Sequence, residues 1–283
     1  MGDWPKIRIK TGDIMGEKVQ GNLVIVGGAE DKEEECIILK RVIALAGGSS
    51  AALAVLTTAS EEPEKTGEKY KSVFRSLGLE AINLFNINNR QDANNSKIVD
   101  ELNETTGIFF TGGDQLRITG TLGGTLLGKT LLQMYHRGVV VAGTSAGASV
   151  MSDTMIIGGD SDEAPHISKL SMAPGLGLLK ESVVDQHFAQ RGRIGRLLSV
   201  LACNPYILGI GIDEDTAVIV RPEGVLEVIG SNSVTILDGL EVEYSNVSEL
   251  SSRQALSITK VILHTLSSGA RYSLKERKPV ITD

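Results

Sequence analysis

Val139-Val140-Val141-Ala142-Gly143-Thr144-Ser145-Ala146-Gly147-Ala148-Ser149 reads as a buried strand that runs straight into a serine, with a glycine two residues before it and another two after. This is the G-x-S-x-G spacing of a nucleophile elbow, where the chain turns so sharply from strand to helix that the serine hydroxyl stands exposed at the tip. Only small neighbours fit such a turn, because larger side chains would meet the strand, the helix or an incoming substrate. A chain with 32 glycines can produce the spacing by accident. The triple valine before Ser145 and the small-residue helix start after it favour the elbow.

Upstream of the elbow, β-rich runs alternate with helical patterns. Asn22 to Val26 is a short apolar run that ends in Gly27-Gly28; Asp31, Glu33 and Glu34 then form an acidic first turn before a helix carrying Ile38, Val42 and Leu45. Ala52 to Thr57 is a second strand, with Ser60 as a cap before a helix showing Tyr70, Phe74 and Leu77. Ala81 to Phe85 is a third, and Gly107 to Phe110 a fourth, ending in Thr111-Gly112-Gly113-Asp114-Gln115. A helix through Leu126, Leu131 and Met134 returns the chain to the elbow strand. Such alternation implies an α/β fold with a mostly parallel sheet and helices on both faces. Sites in these sheets gather at the carboxyl ends of the strands, so the glycine-rich ends at 27–28, 112–113 and the elbow should meet on one edge.

Downstream, residues 153–173 read as a polar loop. Ser182 to Gln186 reads as a strand delivering Asp185, Gln186 and His187, and a helix from about Gly192 should bury Ile194, Leu197, Leu198 and Leu201. Ile207 to Ile212 is a further strand, ending in Asp213-Glu214-Asp215. The runs 216–220, 225–229, 234–237 and 258–266 look like antiparallel strands added to the edge of the main sheet near the C-terminus. No repeat or flexible linker interrupts the chain, which reads as one domain over residues 1–283.

Composition narrows the function. Hydrophobic residues make up 41% and charged residues 22% of the chain, as in a soluble globular protein, and the formal net charge of -7 opposes nucleic-acid or anionic-membrane binding. No signal-like or membrane-spanning apolar run is present, which points to a cytoplasmic protein. Cys36 and Cys203 suggest neither a disulfide framework nor a thiolate metal site, and read as buried filler.

A serine hydroxyl needs a base. Of the four histidines, His136 lies near a helix end, His264 inside a late strand and His166 in the acidic loop, whereas His187 stands just past a strand end, where a catalytic group belongs. Its orienting acid is either Glu163, between serine and histidine in the chain, or Glu214, at a strand end after the histidine. The N–H of Ala146, next after the serine, and that of Gly113 are the candidate oxyanion donors. Arg191, Arg193 and Arg196 form a basic cluster beside the histidine that suits carboxylate recognition. Asp160, Asp162, Glu163 and His166 lack the spacing of a calcium loop or a zinc-hydrolase helix, so neither a metal nor another cofactor is expected.

These segments together resemble the cyanophycinases within the peptidase E-like serine exopeptidases. The resemblance is carried by Gly21–Lys32, Phe109–Thr119, Ala142–Met151, Val183–Leu197 and Gly209–Val220, and its cyanophycinase-like feature is the arginine-rich segment after His187. It implies a flavodoxin-like sheet akin to class I glutamine amidotransferases, a homodimer, and hydrolysis of cyanophycin to β-Asp-Arg dipeptides. It further implies Ser145 as nucleophile, His187 as base, Glu163 or Glu214 as acid, and Gln115, Asp185, Gln186, Arg191, Arg193 and Arg196 as pocket residues. A peptidase E-like α-aspartyl dipeptidase is the nearest alternative. An unrelated esterase, and a phosphate- or nucleotide-binding module with a merely structural Ser145, are further ones.

Overall fold

A computed structural model gives the fold and describes residues 19–159, 165, 170–250 and 254–281. The central sheet has nine strands. Five of them are parallel and lie side by side: β1 (Leu23–Val26), β5 (Val140–Thr144), β4 (Gly107–Phe110), β2 (Ala52–Leu56) and β3 (Ala81–Phe85). Beyond β1 the sheet continues antiparallel through β10 (Thr216–Val220), β11 (Val225–Gly230), β14 (Arg271–Ser273) and β15 (Lys278–Val280).

The sheet is covered on both faces, so its inner strands are apolar at every position rather than alternating. All four residues of β1 are fully buried: Val24 and Val26 face the core under α1 (Ile37–Leu45) and α2 (Pro63–Ser76). Leu23 and Ile25 face the other core, which contains residues of α3 (Ser96–Asn103), α4 (Gln115–Leu122) and α5 (Leu126–His136).

A second sheet shares that core. It holds β8 (Ser182–Gln186), β9 (Leu208–Ile212), β12 (Val234–Asp238) and β13 (Ile262–Leu266), with β8 and β9 parallel. Its far face packs on α7 (Ile194–Cys203) through Val183, Leu197, Val200, Leu201 and Leu237. Glycine makes this close approach possible. A Cβ on Gly209 would lie 2.9 Å from Leu201, and one on Gly211 2.4 Å from the Phe188 ring.

Several expectations are corrected. The late strands do not all extend the main sheet: 234–238 and 262–266 belong to the second sheet, because β12 pairs with β9 and not with β11. The stretch read as a loop after residue 153 contains an antiparallel pair, β6 (Thr154–Gly158) with β7 (Ser171–Pro174). Helix α4 went unread because its thin apolar stripe, Ile118 and Leu122, is interrupted by Gly120. Asp31, Glu33 and Glu34 precede α1 rather than opening it. The Asp31 carboxylate accepts the N–H groups of Glu33, Glu34 and Cys36, with that of Cys36 weighing most, and these hold its pKa down to about 2. Ile194 is exposed at the start of α7, and Cys203 is exposed, not buried filler.

Candidate active site

At the end of β5 the chain enters Ser145 with φ 52° and ψ -109°, and the four-residue helix α6 (Ala146–Ser149) starts at once. The flanking glycines are sterically required. A Cβ on Gly143 would lie 2.5 Å from the Gly147 carbonyl oxygen, and one on Gly147 2.5 Å from that of Phe110. A positive φ at a non-glycine residue is strained, and the neighbouring strands hold it in place: Ser145 N–H donates to the Val26 carbonyl at 3.1 Å.

The expected meeting of strand ends occurs. Ser145 Oγ lies 2.9 Å from His187 Nε2, and His187 Nδ1 lies 2.6 Å from Glu214 Oε1. His187 follows β8, Glu214 lies between β9 and β10, and the Gly27-Gly28 loop after β1 runs beneath the imidazole. A Cβ on Gly28 would stand 2.3 Å from His187 Cε1, so glycine is needed there. A carboxylate only accepts, so Nδ1 carries the proton toward Glu214 and Nε2 is left to accept from the serine hydroxyl. Burial lowers the His187 pKa, the Glu214 hydrogen bond opposes this, and the charges of Arg191 and Arg193 lower it further. The imidazole is therefore neutral near pH 7, as a base must be. Of the two candidate acids, Glu214 stands beside His187; Glu163 lies outside the described residues, as do Asp160, Asp162 and His166. Among the described residues no three His, Cys, Asp or Glu side chains could hold a metal ion together.

The Ala146 N–H opens α6, and neither it nor the Gly113 N–H donates a backbone hydrogen bond among the described residues. Gly112, read from the sequence as part of the strand end at 112–113 but not as an oxyanion donor, lies close to the serine: a Cβ there would be 3.5 Å from Ser145 Cβ. One on Gly113 would instead strike the Ala59 carbonyl at 2.0 Å. A cleft of about 490 Å³ opens against these glycines, lined by Ser60, Glu61, Glu62, Gly112, Gly113 and Asp114.

The arginine cluster divides. Arg193 and Arg196 do not reach outward; both close on the fully buried Asp185. Arg196 Nε donates to Asp185 Oδ2 at 2.7 Å and its Nη2 to Oδ1, while Arg193 Nη1 reaches Asp185 Oδ1 at 3.2 Å and Gln186 Oε1 at 3.0 Å. Burial lowers the Arg193 pKa to about 10 against the pull of Asp185, so the guanidinium stays charged at neutral pH. Asp185 is thus neutralised within the protein rather than presented to a ligand. Arg191 is exposed and makes no side-chain hydrogen bond among the described residues. Gln115 Nε2 donates to the Ile156 carbonyl at 3.0 Å, tying α4 to β6. His136 and His264 lie elsewhere, on α5 and β13.

The sequence reading also passed over Glu30. It is 3% exposed and accepts hydrogen bonds from Thr144 Oγ1 at 2.6 Å and Tyr70 Oη at 2.5 Å, with Lys32 Nζ 2.9 Å away. A carboxylate two residues past the glycine pair that follows β1 was the available signal.

A family model for peptidase family S51 matches residues 23–228. The chain is 42% identical over 220 residues to a cyanophycinase of Nostoc sp., covering 77% of this chain and 74% of that protein. It is 41% identical over 218 residues to a cyanophycinase of Synechococcus elongatus, covering 77% and 68%. Among solved structures, a peptidase from an acI-B1 actinobacterium aligns with a TM-score of 0.68 at 24% identity, over 92% of this chain and 98% of that one. A putative peptidase E protein from Listeria monocytogenes aligns at 0.50 and 20% identity, over 75% and 98%. Both structural likenesses bear on the fold alone.

Proposed function

Because the chain belongs to peptidase family S51, we propose that it is a serine exopeptidase that hydrolyses cyanophycin to β-Asp-Arg dipeptides, with Ser145 as nucleophile, His187 as base and Glu214 as orienting acid. The observation that carries the chemistry is the chain of contacts from Ser145 Oγ through the imidazole to the Glu214 carboxylate.

Ser145 attacks a backbone carbonyl of the polymer as Nε2 takes its proton. The carbonyl oxygen becomes an oxyanion held by the Ala146 and Gly113 N–H groups. The imidazolium, stabilised by Glu214, then protonates the departing amine; the acyl-enzyme remains and water enters by the same route in reverse. A polymer bearing both carboxylates and guanidinium groups needs a site of mixed sign. Arg191 offers the exposed positive charge, and Glu61, Glu62 and Asp114 along the cleft offer the negative ones. Arg193, Arg196, Asp185, Gln186 and Gln115 support this surface from behind through their internal contacts. The homodimer implied by the resemblance, and a cytoplasmic location, with which the two free cysteines agree, belong to the same reading.

Mass spectrometry of the soluble products after incubation with insoluble cyanophycin tests it. A β-Asp-Arg product from the wild type that disappears with Ser145→Ala is expected. Folded wild-type protein that releases nothing from cyanophycin but cleaves α-aspartyl dipeptides would overturn it in favour of a peptidase E-like activity.

A further inference from the structure

The loop that follows β1 touches His187 directly and the chain neighbours of both Ser145 and Glu214. Its Gly27 carbonyl accepts the His187 N–H at 2.8 Å, and Gly28 lies flat under the imidazole. The Gly28 carbonyl accepts the N–H of Asp215 at 2.9 Å, and Asp215 Oδ1 accepts the Asp31 N–H at 2.8 Å, which anchors the residue next to Glu214. Glu30 completes the set on the serine side through Thr144, the residue before Ser145.

The Glu30 anchor is unusual in its composition. A buried carboxylate is costly unless hydrogen-bonded and neutralised, and Glu30 is both. One oxygen takes the Thr144 hydroxyl; the other takes the Tyr70 hydroxyl and the Lys32 ammonium, which also lies 5.4 Å from the centre of the Tyr70 ring. Thr144 is itself 3% exposed, so its hydroxyl has no solvent to turn to. If only core filling were needed, an apolar pair would serve as well without the desolvation cost. What the hydrogen bond adds is a fixed distance between the β1 loop and the residue on which the strained Ser145 backbone is hung.

We propose that Glu30 is a positioning residue: by holding Thr144 it locks the elbow to the same loop that holds His187 and Asp215, and so sets the distance between Ser145 Oγ and His187 Nε2. Glu30 lies behind Thr144 and acts on the reaction only through it. The inference rests on Ser145 being the nucleophile. It adds a residue to which neither the elbow nor the histidine points.

The test is the second-order rate of Ser145 labelling by a fluorophosphonate, with thermal midpoints measured alongside. Thr144→Val keeps the shape and removes the donor; it should slow labelling at least about tenfold, since a small displacement of reacting groups costs one to two orders of magnitude. Thr144→Ser restores the hydroxyl and should restore most of the rate. Glu30→Leu removes both acceptor oxygens and should slow labelling as Thr144→Val does, and the double variant should be no slower than the slower single variant, because both remove one contact. With cyanophycin as substrate, the loss should fall on kcat and leave KM nearly unchanged. Folded Thr144→Val and Glu30→Leu proteins that label within twofold of the wild type would overturn the proposal, as would effects that simply add. A wild type that does not label would instead remove the nucleophile assignment on which it rests, so the two failures are distinguishable.

Discussion

His187 is the residue on which the pH dependence turns. In the proposed mechanism its neutral form is the base, and its burial together with the charges of Arg191 and Arg193 lowers its pKa against the opposing hydrogen bond from Glu214. Activity is therefore lost as pH falls through a pKa below the ordinary histidine value of about 6.5. The midpoint of the acid limb of a kcat/KM profile should therefore lie below that ordinary value. Removing a nearby positive charge eases protonation, so Arg191→Ala should move the acid limb to higher pH; a shift downward, or none, would remove Arg191 from the electrostatics of the base. Glu214→Gln keeps the shape but no longer favours the Nδ1–H tautomer, and should lower kcat by roughly 10⁴ with little change in thermal midpoint, by analogy with the equivalent change in serine proteases. Charge-removing changes in the cleft should act differently. Glu61→Gln with Glu62→Gln is expected to raise KM for the polymer while fluorophosphonate labelling of Ser145 stays at the wild-type rate.

At the scale of elements, the parts that could be read from the sequence are those whose pattern is local. β1, β5 and β8 are short apolar runs ending in glycine or polar residues, and their order along the chain was enough to bring Ser145 and His187 to one edge. The acid could not be chosen, because Glu214 reaches His187 only through the parallel pairing of β8 with β9, a contact between segments 26 residues apart. The second sheet escaped for the same reason: an antiparallel strand looks alike whichever sheet it joins. The inward turn of Arg193 and Arg196 was not legible, because nothing in the spacing tells that Asp185, eight and eleven residues earlier, is fully buried and pairs with both. Glu30 was hidden by the loop that contains it. Two packing predictions belong here. Leu197→Ala in α7, fully buried against Gly209, should cost about 2 to 5 kcal/mol in denaturant unfolding. Gly147→Val should leave no correctly formed elbow, since its Cβ would meet the Phe110 carbonyl; a folded, labelling-competent variant would contradict that geometry.

Across the whole molecule, one core joins the two sheets: Leu23 and Ile25 of β1 share it with Val184, Ile210 and Ile236 of the second sheet. The proposed catalytic groups are divided along that join, with Ser145 on the main sheet, His187 on the second and Glu214 in the connection between β9 and β10. A site assembled in this way depends on the two sheets keeping their relation. Thermal unfolding should accordingly be a single transition, with loss of Ser145 labelling coinciding with loss of secondary structure. Two separated transitions would show that the sheets fold independently and would contradict the reading of the chain as one domain.

The most direct measurement is peptide mapping of the protein after reaction with a fluorophosphonate, beside a folded His187→Ala variant. The arrangement of Ser145, His187 and Glu214 predicts one adduct, on the peptide containing Ser145, formed rapidly in the wild type and slowed by orders of magnitude in the variant. An adduct on another residue, or equal labelling of the two proteins, would contradict it.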